Sequence, residues 1–213
     1  TMQDTLKIAG LVLAGGQGRR MHHADKAFMD IAQRPCVDWI ITSLKKQCAA
    51  IAISANGDAQ RFDAWNCPVL ADTLHNVGPL AGVLSGLAWA KEAGFDVLVS
   101  IPVDTPCIPD TLVSTLLPAP SYAAYATQHH SLVAAWPVRA AHALLAAQLA
   151  SITEQNRKQN TRVCTLTQAL GARPVDFLPL SSFDPFLNIN TPEDLQAVQA
   201  IWHTRTKDNH HGL

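Results

Sequence analysis

The sequence predicts an α/β fold, a mostly parallel sheet with helices on both faces and a small antiparallel ribbon. Three observations predict it. Apolar strand-like runs alternate along the chain with segments of helical pattern, the arrangement that builds a parallel sheet flanked by helices. The chain has 213 residues, a length that suits one α/β domain. Apolar residues make up 48% and charged residues 15%, which allows a sizeable core. We read residues 1–202 as a single domain and residues 203–213 as a polar, frayed tail.

The elements follow in order. Ile8–Ala14 is an apolar strand that runs into the glycine-rich turn Gly15, Gly16, Gln17, Gly18. Cys36–Gln47 has helical spacing and leads to a second strand, Ala50–Ser54. Asn56, Gly57 and Asp58 then form a turn, and Val69–Ala71 is a short strand. Asn76–Gly78 turns the chain into a helix over Pro79–Ala93, and Val97–Pro102 is the next strand. Pro109–Leu116 and Ala140–Thr153 read as helices. Between them, Tyr122–Thr127 and Leu132–Trp136, divided by Gln128, His129 and His130, read as the antiparallel ribbon. The polar stretch Glu154–Thr161 reads as a mobile segment, and Ala172–Phe177 as a further strand. The helix Pro192–Trp202 is the best marked: Thr191 is a good N-cap, Pro192 occupies the first turn, and Glu193 and Asp194 suit the helix dipole.

Composition excludes several classes of function. A net charge of −1 argues against a broad nucleic-acid footprint, although a local basic cluster still binds a small polyanion. No apolar run is long enough to span a membrane, and no signal-peptide pattern opens the chain. The five cysteines are scattered and form no C-x-x-C pair, so we expect reduced core thiols in a cytoplasmic protein.

Four segments carry chemistry. The first is the loop Gly15–Gly18 with Arg19, Arg20 and Lys26, where unpaired backbone N–H groups and cations together suit phosphate. It is neither a P-loop nor a G-x-G-x-x-G fingerprint, and a solvated turn with surface cations is the alternative. The second is Asp104, just past a strand end in an open sheet, where ligands bind. Asp104 could hold Mg²⁺ against a triphosphate, since that ion takes only one or two protein carboxylates. It could equally cap its own turn. The third joins Asp72 with Gly78 and Gly82: a carboxylate suits the two adjacent donors on the Watson–Crick edge of guanine, while Gly82 could instead serve close helix packing. The fourth is Asn188 and Asn190, two amides on one side of an extended segment, with helix capping as the alternative for Asn190 or Thr191. His22 with His23 and His129 with His130 have no third ligand at zinc spacing, and we expect both pairs on exposed loops.

With these residues in view, the chain resembles the molybdenum cofactor guanylyltransferase (MobA) family. The resemblance rests on Leu13–Gly16 with Arg20, Met21, Asp25 and Lys26, then Gly78–Gly82, Val103–Pro106 and Asn188–Leu195. These segments stand in the family's order and span nearly the whole chain. The resemblance implies a three-layer Rossmann-like nucleotidyltransferase fold. It implies transfer of GMP from GTP to molybdenum-bound molybdopterin, with Mg²⁺ as cofactor, and a molybdoenzyme or cofactor-insertion factor as the onward partner.

Carried over by position, Leu13, Ala14, Gly15, Gly16 and Gly78 would line the nucleotide pocket. Lys26 would meet the phosphates, Asn56 and Asp72 the guanosine, and Asp104 both nucleotide and Mg²⁺. Arg19, Lys26 and Asp104 would be the catalytic set, and Arg162, Asn188 and Asn190 are the candidates for pterin binding. The chain departs from the family at His22 and His23, where glycines usually follow Arg-Met, and at Ser131, where a proline is frequent. Two other readings stay open: a cytidylyl or sugar-phosphate nucleotidyltransferase, and a GTP-binding module without transfer activity.

Overall fold

The computed structural model describes residues 5–15 and 25–208, with side chains to residue 204. Gly16, Arg19, Arg20, His22 and His23 lie outside the described residues. A seven-stranded sheet forms the centre. Strand β1 (Ile8–Leu13) is followed by a small separate ribbon of β2 (Asp30–Ile31) and β3 (Arg34–Pro35), then by helix α1 (Cys36–Lys45) and strand β4 (Ala50–Ser54). A 3-10 helix at Ala59–Trp65 precedes β5 (Val69–Leu70), α2 (Leu80–Glu92), β6 (Val97–Pro102) and α3 (Leu112–Leu116). The hairpin β7 (Ser121–Tyr125) and β8 (Gln128–Pro137) leads to α4 (Val138–Ala150), α5 (Arg157–Asn160), α6 (Val163–Leu170), β9 (Arg173–Asp176) and α7 (Pro192–Asp208).

The sheet order is β5-β4-β1-β6-β8-β7-β9. Strands β5, β4, β1 and β6 are mutually parallel, β8 is antiparallel to both β6 and β7, and β9 runs parallel to β7. The mostly parallel sheet is as expected. The expected antiparallel pair is present as β7 and β8, and β8 also inserts beside β6, so the pair completes the central sheet. Gln128, His129 and His130 belong to β8 rather than dividing the hairpin; the turn sits at residues 126–127, with Ala126 at φ 51°.

Two cores sandwich the sheet. On one face Ala9, Leu11, Leu98 and Trp136 meet α2, α4 and α6. On the other, Val12, Ile53, Val99 and Ile101 meet α1, α3, Phe62 and the Phe177–Phe186 pair. Alternation along β1 sends Leu11 to the first core and Val12 to the second. A third, smaller cluster of Ile31, Cys36, Cys107, Ile189 and Val198 packs α7 against the ribbon.

Several boundaries differ from the sequence reading. Pro109–Leu116 is helical only from Leu112, and α7 continues to Asp208. Glu154–Thr161, read from sequence as a mobile segment, holds the short helix α5, fastened by Asn156 to the Thr153 N–H and the Ser151 carbonyl. Helix α6 has no counterpart in the sequence reading, and ends on Gly171 at φ 64°. All five cysteines are free thiols. Burial raises Cys36 well above the usual thiol range and Cys48 to about 12, so both stay protonated and inert at neutral pH.

Candidate active site

Strand order reverses around β1. The chain steps outward from β1 to β4 and β5, then returns to place β6 on the other side of β1. In open α/β sheets this reversal leaves a crevice beyond the carboxyl ends of the strands. Here a cavity of about 540 Å³ lies at that position. Its wall takes Leu13 from the end of β1 with Ala14 and Gly15 just beyond it, Ser54 from the end of β4 with Asn56 just beyond it, and Asp104 from just past β6. Two backbone hydrogen bonds extend the sheet to the rim: the Ala14 N–H donates to the Ser54 carbonyl at 2.8 Å, and the Val103 N–H to the Leu13 carbonyl at 3.0 Å.

Lys26 and Asp104 meet at one end of the cavity. The Lys26 ammonium donates to Asp104 Oδ2 at 3.1 Å and to Asn190 Oδ1 at 2.6 Å. Both charged side chains are about one-fifth exposed, 20% and 19%, so they can face a ligand while sheltered from bulk water. Asp25 fixes the lysine's turn: its Oδ1 accepts from the Ala27 N–H at 3.1 Å and caps the 3-10 helix Lys26–Phe28. The Ile189 N–H donates to the Asp104 carbonyl at 3.0 Å, which seats the extended 188–190 segment beside the aspartate.

The capping alternatives resolve here. Thr191 Oγ1 accepts from the Asp194 N–H, and Asp194 Oδ2 accepts from the Asn190 and Thr191 N–H groups. This reciprocal box satisfies the start of α7 without the Asn190 side chain, which turns to Lys26 instead. The donated backbone N–H of Asn190, with those at Thr191, holds the Asp194 carboxyl below the usual carboxylate range. Asp104 likewise gives its carboxylate to Lys26, while Thr105 closes the local turn on the Pro102 carbonyl.

Asn56 and Asp72 stand together in the wall. Asn56 Nδ2 donates to Asp72 Oδ2 and Asn56 Oδ1 accepts from the Asp72 N–H, each at 2.9 Å. Asp72 Oδ1 is buried and has no hydrogen-bond donor among the described residues. Gly78 and Gly82 both line this part of the cavity. Gly78 sits at φ 63°, which favours glycine, and among the described residues no atom lies within 4 Å of where its Cβ would be. At Gly82 a Cβ would stand 2.4 Å from Ser54 Oγ and 3.1 Å from Leu13 Cδ2, so this glycine both lines the cavity and lets α2 sit directly on β1 and β4.

The structure therefore brings together Leu13, Ala14, Gly15, Lys26, Asn56, Asp72, Gly78 and Asp104, with Asn190 joined through Lys26. It does not bring in Arg162 or Asn188. Both are exposed and neither lines the cavity; Arg162 stands at the N-terminus of α6. Gly16 and Arg19 lie outside the described residues.

Other residues at and near the site were not singled out from sequence. His75 lines the cavity, and Arg61 ties Asp25 to the Asn56 carbonyl. Neither sits in a motif, and only the three-dimensional path of residues 56–75 reveals them. His130 departs from its expected place on an exposed loop: it lies on β8 with its ring nitrogen 2.8 Å from Asp184 Oδ2 and its side chain 10% exposed.

Asp104 Oδ2 and Asn190 Oδ1 already surround a cation, the Lys26 ammonium. These are hard oxygen donors of the kind Mg²⁺ prefers. Among the described residues no three His, Cys, Asp or Glu side chains gather as a metal-binding group. The set therefore fits an ion that completes its shell with substrate phosphates and water, not a closed protein cage.

Comparison with known proteins agrees with this geometry. The MobA-like NTP transferase domain family matches residues 10–169. A molybdenum cofactor guanylyltransferase of Acidiphilium cryptum is 41% identical over 196 residues, covering 91% of this chain and 94% of the relative. One from Cereibacter sphaeroides is 40% identical over 200 residues, covering 92% and 97%. The crystal structure of molybdopterin-guanine dinucleotide biosynthesis protein A from Archaeoglobus fulgidus superposes with a TM-score of 0.69 at 19% identity, covering 92% of this chain and 99% of that one, which speaks for the fold. The chain belongs to the MobA-like NTP transferase family, among nucleotidyltransferases related to the molybdenum cofactor guanylyltransferases.

Proposed function

We propose that this protein transfers GMP from GTP to molybdenum-bound molybdopterin, forming the guanine dinucleotide cofactor and releasing pyrophosphate. The observation that carries the reading is the make-up of one cavity. It is lined by Lys26 and Asp104 for phosphate and by the hydrogen-bonded pair Asn56 and Asp72 for the base. Guanine offers adjacent N–H donors on its Watson–Crick edge, which suit that carboxylate. The guanylyltransferase names of the relatives at about 40% identity support the same choice of nucleotide.

The chemistry follows from the charges. The acceptor's terminal phosphate is a monoester, mostly ionised at neutral pH, so its oxygen attacks the α-phosphorus without a general base. The bond between the α-phosphorus and the bridging oxygen breaks, and pyrophosphate leaves. Two polyanions must be held in line and their charge neutralised, which is the protein's main contribution. Lys26 and, from the glycine-rich sequence that precedes it, Arg19 would serve that purpose. Asp104, with Asn190, would hold Mg²⁺, which supplies Lewis-acid stabilisation of phosphate charge. The pterin would lie on the Asn190 side.

Thermal-shift measurements with GTP, CTP and ATP plus Mg²⁺ test the base. GTP should stabilise most, and stabilisation by CTP alone would overturn the guanine reading. Pyrophosphate release from GTP in the presence of molybdenum-loaded molybdopterin tests the reaction. GTP binding without turnover would instead identify a binding module.

A further inference from the structure

The described residues lining the cavity include three carboxylates, Asp25, Asp72 and Asp104, against one lysine, Lys26. Asp72 pairs with the neutral Asn56 side chain. Asp25 adjoins Lys26 in the sequence and Asp104 adjoins it in space, so a polyphosphate meeting Lys26 also meets like charge unless these two are compensated. Lys26 answers Asp104. Asp25 is answered from outside the lining: Arg61 Nε donates to Asp25 Oδ2 at 3.1 Å. The same guanidinium donates through Nη2 to the Asn56 carbonyl at 3.0 Å and through Nη1 to the Asp58 carbonyl, and lies over the Phe62 ring with Cζ 4.6 Å from its centre. The arginine is thus held by four partners and presented edge-on to Asp25.

Asp25 cannot simply be absent, because its other oxygen caps the turn that carries Lys26. We propose that Arg61 is a charge-compensating positioning residue: it neutralises Asp25 so that the carboxylate capping the Lys26 turn does not repel the substrate's phosphates. This rests on reading the cavity as a nucleoside triphosphate pocket. Arg61 acts through Asp25 and need not touch substrate. The pair is part-exposed, 26% for Arg61 and 36% for Asp25, so its influence is moderate and sensitive to salt.

The test is calorimetric binding of inorganic triphosphate, GTP, CTP and guanosine in EDTA at low and high salt. Arg61→Met should weaken triphosphate and GTP binding about five- to tenfold at low ionic strength, and the loss should shrink as salt screens it. Guanosine binding should not change. Arg61→Lys should retain most of the affinity, because charge and not the forked geometry is required. The double variant Asp25→Asn/Arg61→Met should return to within about twofold of the parent, since asparagine still caps the turn and the uncompensated charge is gone.

A loss that Asp25→Asn does not rescue, or one equally large for guanosine, would overturn the proposal and make Arg61 a brace for Asn56. If Arg61→Met does not fold, Asp25→Asn alone decides. Its triphosphate affinity should rise, and an unchanged or weaker affinity overturns the idea. Triphosphate binding without preference for GTP over CTP would sink the guanine reading and leave this inference standing. A parent protein that binds no polyphosphate overturns both.

Discussion

Lys26 shows how one side chain links remote parts of the sequence. Its ammonium joins Asp104, 78 residues away, and Asn190, 164 residues away. Removing it takes a charge-assisted contact from the phosphates and leaves Asp104 without its partner. Lys26→Ala should weaken GTP binding by about tenfold or more, on the basis of about 1.5–3 kcal/mol for a hydrogen bond to a charged group. Unaltered GTP affinity in that variant would refute the phosphate role. Asp104→Ala should lower Mg²⁺-dependent turnover on the order of a hundredfold while the far-ultraviolet circular dichroism stays unchanged, in line with losing an electrostatic stabiliser at a reacting centre. Retained turnover would take Asp104 out of the metal set.

At the scale of elements, α2 and the start of α7 carry the clearest arguments. Gly82 and Gly86 stand one turn apart on α2 and form a flat seam against β1. A Cβ at Gly86 would lie 2.3 Å from Leu11 Cδ2 and 3.1 Å from Leu11 Cγ, in a fully buried part of the core. Gly86→Ala should therefore destabilise the protein by about 1–2 kcal/mol, because overpacking outweighs the gain in helix propensity. A stabilised variant in urea denaturation would show that Leu11 yields freely.

The α7 box gives a pH prediction. The folded-state pKa of Asp194 is depressed, first by the Asn190 N–H and then by its Thr191 bonds. Its contribution is thus complete above the unfolded value of about 4 and is lost as pH falls through the lower folded value. The thermal midpoint of Asp194→Ala should lie below that of the parent at neutral pH, and the gap should close in acid. A gap that widens in acid would contradict the sign.

For the whole molecule, the crevice is a product of topology. Three strand ends from residues 13, 54 and 102 converge only because β1 lies between β4 and β6. Binding at such a junction couples the loops beyond several strands to the ligand. GTP with Mg²⁺ at about a hundred times its dissociation constant should raise global stability by about 2.7 kcal/mol. The same ligand concentration should stabilise Lys26→Ala less, and equal stabilisation would place the nucleotide elsewhere.

Much of this was legible in the chain itself. Strands β4 and β6 lie where their apolar runs predicted, because fully buried parallel strands read as continuous β-branched and aliphatic segments. Thr191, Pro192 and Asp194 marked the start of α7 by local capping chemistry alone. Asp104 and Asp72 were visible because each stands just past the end of an apolar strand, two residues on in both cases. The α5–α6 region was not legible, since α5 is a single turn held by side-chain bonds from Asn156 and has no apolar period to announce it.

What the sequence determined by itself is local: the identity of most strands and helices from periodicity, the α7 cap from residue type, and the ordered motifs that carry the family resemblance. What only the tertiary structure decided is which of two roles an ambiguous residue takes. Asn190 could cap or reach outward, and Thr191 with Asp194 left it free for Lys26. Arg61 belongs to no motif, and its pairing with Asp25 exists only because the chain after β4 folds back against the Lys26 turn. The physical reason is the same in both cases: hydrogen bonds and ion pairs depend on distance in space, and spacing along the chain carries no record of contacts made across the strand order.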